Sequence, residues 1–566
     1  MKFLVSQLSY FIADKQARRN LSALRTYLYF ILGVIILHSA IFHFIMTFAE
    51  GQEHSWLTGF YWTLTVMSTT GFGDITFHTD IGRLFSIVVL MSGIILLLIM
   101  LPFAFIRHFY APWLEARLRN QAPRACEDHH SGHVIICRND SITPGLIRRL
   151  SFNHIPYVIL ESDPVVAAQM MSGDIEVVTG EIDHRQTYEN LRVDKAKLIF
   201  ANAEDTTNTN IILTAREVSP TIPILALAEE EASLDIFTLS GATYTLPLKR
   251  ILGEQLAARV GAGIGAVHIV GRFKDLEIAE FLIHHTPLAG KTLTDIGLRS
   301  ETGVNVVGVW NQGRFQPIRA DRPLSNTDVP VAIGTKDQVK RLDKFLGAVP
   351  NGQGPVLVIG MGKVGMSTAK ALKEKGLPVH VIEKDERLRR EIGSQFDRTT
   401  YGDAADLHVL EEAGIYEASA VALTTNSDAV NIHLTVYCRR LKPDLNLVSR
   451  ITKERNIEAI YRAGADFVLS YAFLGREYVT ALLLGREPIM VGEGADFFSV
   501  AVPDVLVGGD LGSSQIGAKT GLIVIAIERN ESTITNPMPG TILEKEARLL
   551  MLGTIEQRDL FASEFT

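Results

Sequence analysis

Cysteine is scarce: Cys126, Cys137 and Cys438 are the only three among 566 residues. An odd count without ligand spacing excludes a disulfide scaffold and a cysteine-type zinc site, and it suits a reducing compartment for any soluble part. Net positive charge is lacking as well. Lys and Arg number 55 against 63 Asp and Glu, a net charge of −8, which excludes a nucleic-acid binder relying on bulk positive charge. Charged residues make up 21% of the chain and hydrophobic ones 47%. The mean hydropathy of +0.17 is high for a wholly soluble protein and too low for one that is membrane throughout. A short apolar block joined to a long soluble body accounts for both. At roughly 150 residues per domain, the length predicts about four folding units. No nucleophile–base pairing and no catalytic acid stands out, so an enzyme is not expected.

Charge is absent from two long runs. Neither Thr26–Ala49, between Arg25 and Glu50, nor Leu84–Ile106, between Arg83 and Arg107, contains Asp, Glu, Lys or Arg. Each exceeds the roughly 20 residues that cross a hydrocarbon core as a helix. A cleaved signal peptide would have a shorter apolar region and a small-residue cleavage site. Lys2, Lys15, Arg18, Arg19 and Arg25 flank the first run; Arg107, Arg117, Arg119 and Arg124 follow the second. Both flanks are therefore expected in the cytoplasm, as part of a multi-pass protein of the inner (plasma) membrane with both termini inside.

The segment between the spans is too apolar for an ordinary external loop. Trp56, Phe60, Tyr61, Trp62, Leu64, Val66 and Met67 predict a re-entrant helix, followed directly by Thr69, Thr70, Gly71, Phe72, Gly73 and Asp74. Glycines alternating with larger residues permit dihedrals that turn successive carbonyls toward one axis. The competing reading is a glycine turn in a hairpin of membrane helices, but the preceding aromatic half-helix and the flanking spans favour a filter. The stretch resembles the signature of two-transmembrane potassium channels, with Thr70 and Phe72 where Val and Tyr are commonest. The resemblance covers roughly residues 25–107 and implies K⁺ held at Thr69, Thr70, Gly71 and Phe72. Gly93, Leu97 and Pro102 on the second span are gating candidates. Pro102 has no N–H for the carbonyl of Leu98 and is expected to kink or interrupt the helix. Gly93 suits either a hinge, as that family suggests, or close helix packing.

The remainder of the chain repeats itself at a spacing of about 220 residues. His133–Cys137 answers Pro355–Ile359, Glu161 answers Glu383, Gly180-Glu181 answers Gly402-Asp403, and Gly241-Ala242 answers Gly464-Ala465. A second pair follows, with Thr302–Val309 matching Thr520–Ile527 and Ile333–Thr335 matching Leu552–Thr554. In each copy, short apolar strands alternating with helical patterns predict a parallel sheet with helices on both faces, and a smaller strand-rich lobe follows.

In the second copy Gly360, Met361, Gly362, Lys363, Val364 and Gly365 form a G-x-G-x-x-G run between a strand and a helix, and Glu383 ends the next strand. Gly360 makes the tight turn, Gly362 admits the pyrophosphate, and Gly365 lets helix and sheet approach. The helix N-terminus offers free N–H groups to phosphates, and Glu383 can accept from ribose hydroxyls. The first copy has Arg138, Asp140 and Thr143 at the matching positions. Side chains there crowd the backbone and Asp140 repels phosphate, so the first copy reads as structural.

These features together resemble the RCK family, regulators of potassium conductance built from TrkA-N and TrkA-C (KTN) lobes, over roughly Gly132 to the C-terminus. The whole chain resembles the prokaryotic channels that join one pore unit to tandem RCK domains. The resemblance implies Asp403, Thr425 and Asn426 around a bound NAD or ADP. It also implies a homotetramer with eight RCK domains in a cytoplasmic gating ring, and leaves Ca²⁺ open as a further ligand without an assigned site. The expected architecture is membrane α, two helices plus a re-entrant pore helix, then two α/β Rossmann-like domains, each with an α+β lobe. The expected boundaries are a cytoplasmic segment 1–24, pore 25–109, linker 110–131, first N-lobe 132–248, first crossover and C-lobe 249–348, linker 349–355, second N-lobe 356–487 and second C-lobe 488–566.

Other clusters are weaker. Glu229, Glu230 and Glu231 with Asp235 suit a divalent cation or a solvated helix end. His129-His130 beside Glu127-Asp128 suit a metal ion or, better, a polar linker, and His284-His285 before Pro287 reads as a loop. A membrane-tethered nicotinamide dehydrogenase would leave the filter and the altered first fingerprint unexplained. A regulatory subunit of a potassium transporter would have no pore of its own.

Overall fold

The computed structural model describes residues 15–111, 114, 122–127, 131–261, 267–283, 286, 288–311, 314–316, 321–325, 328–346, 354–489, 496–529, 532–535 and 537–565. The paired histidines at 129–130 and 284–285, and most of the expected linker 349–355, lie outside these residues.

Three helices build the N-terminal unit: α1 (Lys15–Phe48), α2 (Trp56–Met67) and α3, which begins as Asp80–Gly93 and continues helically to Tyr110. Leu24–Phe48 and Asp80–Phe105 are each long and apolar enough to cross a membrane. Ser55 caps α2 by accepting from the Thr58 N–H, and Thr79 caps α3 by accepting from Gly82, each satisfying an otherwise orphan donor. An aromatic cluster ties the helices together. Phe42 stacks on Trp62 at 4.9 Å between centroids, and Phe77 meets Trp62 edge-on at 5.1 Å. Contacts of this kind add about 0.5–1.5 kcal/mol each beyond their burial.

The interruption expected at Pro102 appears as a change of winding, not as a break. The backbone stays right-handed helical through Gly93, Met100, Leu101, Phe105 and Ile106, while Ile94–Met100 and Ile106–Tyr110 widen into π-helix. The wider turns pair the carbonyls in a different register, so the missing N–H of Pro102 does not end the helix.

The first soluble copy begins with β1 (Val134–Ile136), β2 (Tyr157–Glu161), β3 (Val177–Thr179), β4 (Leu198–Ala201), β5 (Ile224–Leu227) and β6 (Tyr244–Leu246). β1 lies parallel between β2 and β4, and β5 and β6 continue the sheet beyond β4. An antiparallel sheet in the order β10-β9-β11-β8-β7 follows, from β7 (His268–Phe273), β8 (Leu276–Glu280), β9 (Asn305–Asn311), β10 (Arg314–Gln316) and β11 (Asp328–Thr335). The second copy has β12 (Val356–Ile359), β13 (Val379–Glu383), β14 (Arg398–Tyr401), β15 (Ala420–Leu423), β16 (Asn446–Ile451) and β17 (Phe467–Ser470), in the parallel order β14-β13-β12-β15-β16-β17. Its smaller sheet is β18 (Asp496–Ala501), β19 (Ile523–Glu528), β20 (Thr533–Thr535) and β21 (Arg548–Gly553), ordered β18-β21-β19-β20. Every residue of β1 and of β12 is buried, which is why these strands read as unbroken apolar runs.

The duplication extends to single hydrogen bonds. Arg216 Nε donates to the Gly241 carbonyl at 2.8 Å, and Arg439 Nε to that of Gly464 at 3.0 Å. The Asp205 carboxylate accepts from the backbone of Glu229 and Glu230, and Asp428 accepts in the same way from Thr452 and Lys453.

The two copies also exchange helices. Taking α4 (Thr143–Phe152), α5 (Leu248–Gly261), α6 (Lys363–Glu374) and α7 (Tyr471–Leu483), α5 of the first copy packs on α6 of the second, and α7 of the second packs on α4 of the first. Glycines permit both crossings. A Cβ on Gly253 would lie 2.6 Å from that of Ser367, and one on Gly475 would lie 2.6 Å from Ile142 Cδ1. The buried pair Arg149–Glu477, at 3.5 Å, locks the second crossing. Cys137 and Cys438 are buried free thiols, each pushed up to about 12 by burial.

Candidate functional site

The loop expected as the filter is built on the C-terminal end of α2. The carbonyl of Thr65 accepts from the N–H groups of Thr70 and Gly71 at 2.9 and 3.1 Å, which curls the chain back over the helix end. Thr69, Gly71 and Gly73 have φ of +61°, +49° and +76°, whereas Thr70 and Phe72 do not have positive φ. This is the alternation that the glycine spacing predicts. Thr69 is a β-branched residue in the left-handed region, a strained conformation of the sort that clusters at ligand clamps.

A second layer braces the loop. The Tyr61 hydroxyl donates to Asp74 Oδ2 at 2.9 Å, and Trp62 Nε1 donates to the Ile75 carbonyl at 3.2 Å. Glu50 Oε1 accepts from the His78 N–H, the Thr79 N–H and the Thr79 hydroxyl at 2.7–2.9 Å, anchoring the chain that leaves the filter. The pairing of Tyr61 with Asp74 was not legible in the sequence, where Tyr61 counts only as an apolar residue. On α3, Gly93 is pressed against Met67: a Cβ there would collide with the Met67 backbone. Tyr27 donates to the Leu96 carbonyl at 2.8 Å, next to Leu97.

The three fingerprint glycines of the second copy occupy three different environments. Gly360 has φ +93°, and a Cβ on it would lie 3.0 Å from the Thr425 nitrogen. Gly362 precedes α6 and has nothing within 4 Å of where a Cβ would stand. Gly365 abuts the Gly360 carbonyl so closely that no Cβ fits. Turn, open approach and close packing thus fall in the order that a dinucleotide cradle requires. Met361 and Val364 are buried beneath it.

Glu383, buried at the end of β13, accepts from the Met361 N–H at 2.5 Å and the Asp385 N–H at 2.7 Å. It holds the glycine turn through one oxygen and keeps lone pairs for a ribose hydroxyl. Asp403 pairs with Lys384 at 2.7 Å, and that contact holds its carboxyl below the ordinary range. Thr425 donates to Asn431 Oδ1 at 2.7 Å beside the Gly360 turn, and Asn426 is exposed next to it. Glu383 and Thr425 thus border the glycine turn, and the residues present fit an adenine dinucleotide.

In the first copy the corresponding turn is filled from within. Asp140 Oδ1 accepts from the Ile142 and Thr143 N–H groups at 2.9 and 3.1 Å and from the Thr143 hydroxyl at 3.0 Å. A carboxylate of the chain therefore occupies the donors that a phosphate would need. The Thr143 hydroxyl also donates to the Arg138 carbonyl at 2.9 Å, where Gly365 makes its close approach in the other copy.

The acidic cluster is not assembled for a cation. Glu229 pairs with Lys249 at 2.9 Å, Glu231 with Arg250 at 3.2 Å, and Glu230 with Lys363 of the fingerprint. Among the described residues no group of three or more His, Cys, Asp or Glu is placed to hold a metal ion. Reading Glu229–Glu231 as a solvated helix end missed that Glu230 reaches the other copy.

Comparison with known proteins agrees with this layout. Residues 29–107 match the ion channel family, 134–247 and 356–471 the TrkA-N domain, and 278–347 and 497–566 the TrkA-C domain. The chain is 35% identical to a solved structure described as the GsuK channel bound to NAD, covering 96% of this chain and 99% of that one with a TM-score of 0.56. A second GsuK channel structure matches at 36% identity over the same shares, with a TM-score of 0.58. Potassium channel protein 1 of Methanocaldococcus jannaschii is 26% identical over 56% of this chain and 96% of its own length. The chain belongs to the two-transmembrane potassium channels with tandem RCK domains of TrkA-N and TrkA-C type, an ion-channel family and not an enzyme.

Proposed function

We propose that this channel is gated by an adenine nucleotide bound in its second RCK copy. The observation that carries the reading is the contrast between the copies: an open cradle at Gly362 in one, a cradle filled by Asp140 in the other. The GsuK relative solved with NAD supports NAD as the first ligand to test, and ADP, a second adenine nucleotide, is tested beside it. Gly360–Gly365 would hold the phosphates, Glu383 the ribose, and Asp403, Thr425 and Asn426 the rim. The nucleotide supplies charge and contacts and undergoes no chemistry.

One chain supplies one filter strand, so four chains around a closed axis complete a ring of carbonyls from Thr69, Thr70, Gly71 and Phe72 for K⁺. Eight RCK domains then form the cytoplasmic ring of an inner-membrane channel. Gating needs a ligand that prefers one state. A tenfold preference at each of four sites gives about 5.5 kcal/mol, enough to move a gate from about 1:99 to 99:1.

The test is single-channel recording in a bilayer with K⁺ opposite Na⁺, adding NAD, ADP and Ca²⁺ in turn. A reversal potential near that of K⁺ and a nucleotide-dependent open probability are expected. Gly362→Asp should abolish the nucleotide response by filling and charging the cradle. An unchanged response in that variant, with assembly intact, would sink the assignment.

A further inference from the structure

The loop after β5 is a braced strut. Asp205 holds the N–H groups of Glu229 and Glu230 at 2.9 and 3.0 Å and the Ser233 hydroxyl at 2.6 Å. Three successive glutamates then divide their work. Glu229 and Glu231 turn back onto Lys249 and Arg250 of their own copy's α5, whereas Glu230 crosses to Lys363, the first residue of α6. The crossing is close at a second point as well: the Ser367 hydroxyl donates to the Arg250 carbonyl at 2.9 Å. Lys363 sits directly after Gly362, at the mouth of the open cradle, and both partners of its ion pair are about half exposed. A single ammonium is thus shared between a carboxylate of the first copy and the place where nucleotide phosphates would lie.

Resting on the nucleotide reading above, we infer that Glu230 is a built-in competitor for Lys363, and that a bound nucleotide takes the lysine from it. Phosphate oxygens, themselves drawn to the positive N-terminal end of α6, offer Lys363 more formal negative charge than the single carboxylate of Glu230 does. Transfer of the lysine to the phosphate frees Glu230 and breaks an ion pair between the two copies, adjacent to the α5–α6 crossing. Occupancy of one copy is thereby linked to the fit between both. The linkage is reciprocal: whatever strengthens the Glu230–Lys363 contact weakens nucleotide binding by the same factor. Glu230 in this role is a positioning residue, acting on the ligand through Lys363.

The experiment measures NAD and ADP binding calorimetrically on the full-length channel in detergent, for the parent, Glu230→Gln, Lys363→Met and the double variant. Glu229→Gln, which removes a pair internal to the first copy, is the control. Glu230→Gln is expected to bind about two- to fivefold tighter, the range that an exposed ion pair supports, and Lys363→Met more weakly than the parent. In the Lys363→Met background, Glu230→Gln should have no further effect, and Glu229→Gln should match the parent. A gain from Glu230→Gln that persists undiminished without Lys363 would show a general field effect and overturn the competition. So would parent-like affinity in Glu230→Gln. Failure of the parent itself to bind either nucleotide would overturn the nucleotide reading, a result distinct from the other two.

Discussion

The hydroxyl of Tyr61 donates to the carboxylate of Asp74 across 2.9 Å, joining the helix before the filter to the chain after it. A hydrogen bond to a charged acceptor is stronger than one between neutral groups, and this one braces a loop in which Thr69, a non-glycine residue, is held at positive φ. Tyr61→Phe keeps the ring and removes the donor. K⁺ conduction should persist in this variant, but its decay on replacing K⁺ by Na⁺ should be roughly tenfold faster. Decay at the parent's rate would show that Asp74 does not brace the filter through Tyr61.

Gly93 separates the two readings of the inner helix. A Cβ there meets the backbone of Met67, which cannot swing aside as a side-chain tip can. Gly93→Ala should therefore cost about 1–3 kcal/mol of overpacking and lower the yield of assembled channel. A hinge alone would change open probability and leave assembly and thermal stability at the parent's level.

Asp140→Ala should destabilise the first copy without changing ligand response. The carboxylate caps α4 through two N–H groups, and losing such a cap costs about 1 kcal/mol. A lowered melting temperature with unaltered NAD affinity is the expected pair of results. Altered NAD affinity would place a nucleotide site in the first copy.

His268 predicts an acid-sensitive C-lobe. Burial pushes its imidazole down to about 3, and the positive charges of Arg259 and Lys375 act in the same direction. The neutral ring is compatible with the fold above the ordinary value near 6.5. Its contribution is lost as pH falls from there toward about 3, because the unfolded chain then binds the proton more readily. With the folded value near 3 and the unfolded one near 6.5, the loss between pH 6.5 and 5 is about 1–2 kcal/mol. Melting temperature across that range should fall in the parent and flatten in His268→Gln. Equal slopes would remove His268 as the cause.

Signals carried by a short stretch of chain were readable directly. The two uncharged runs became the membrane-length helices, and the alternating glycines became residues at positive φ. The duplication was legible because matching strands, turns and glycines recur at one spacing, and it reappears as paired hydrogen bonds from Arg216 and Arg439. Pro102 was legible only in part. Its lack of an N–H was read correctly, but whether a helix breaks or rewinds depends on how the neighbouring turns re-pair their carbonyls. Asp140 was read as repelling phosphate; only its hydrogen bonds reveal that it takes the phosphate's place.

Composition and spacing alone determined that the chain has two membrane-length helices, carries a loop of alternating glycines between them, and repeats a Rossmann-like fold of which one copy retains its glycines. Each follows from local rules: helix length against bilayer thickness, the steric freedom of glycine, the period of buried strands. The tertiary structure decided what lies against what. That Glu230 faces Lys363, that Tyr61 meets Asp74, and that Gly253 and Gly475 are the crossing points of exchanged helices are facts about residues distant in sequence. Such contacts are set by how whole elements pack, and packing is a property of surfaces that no single segment contains.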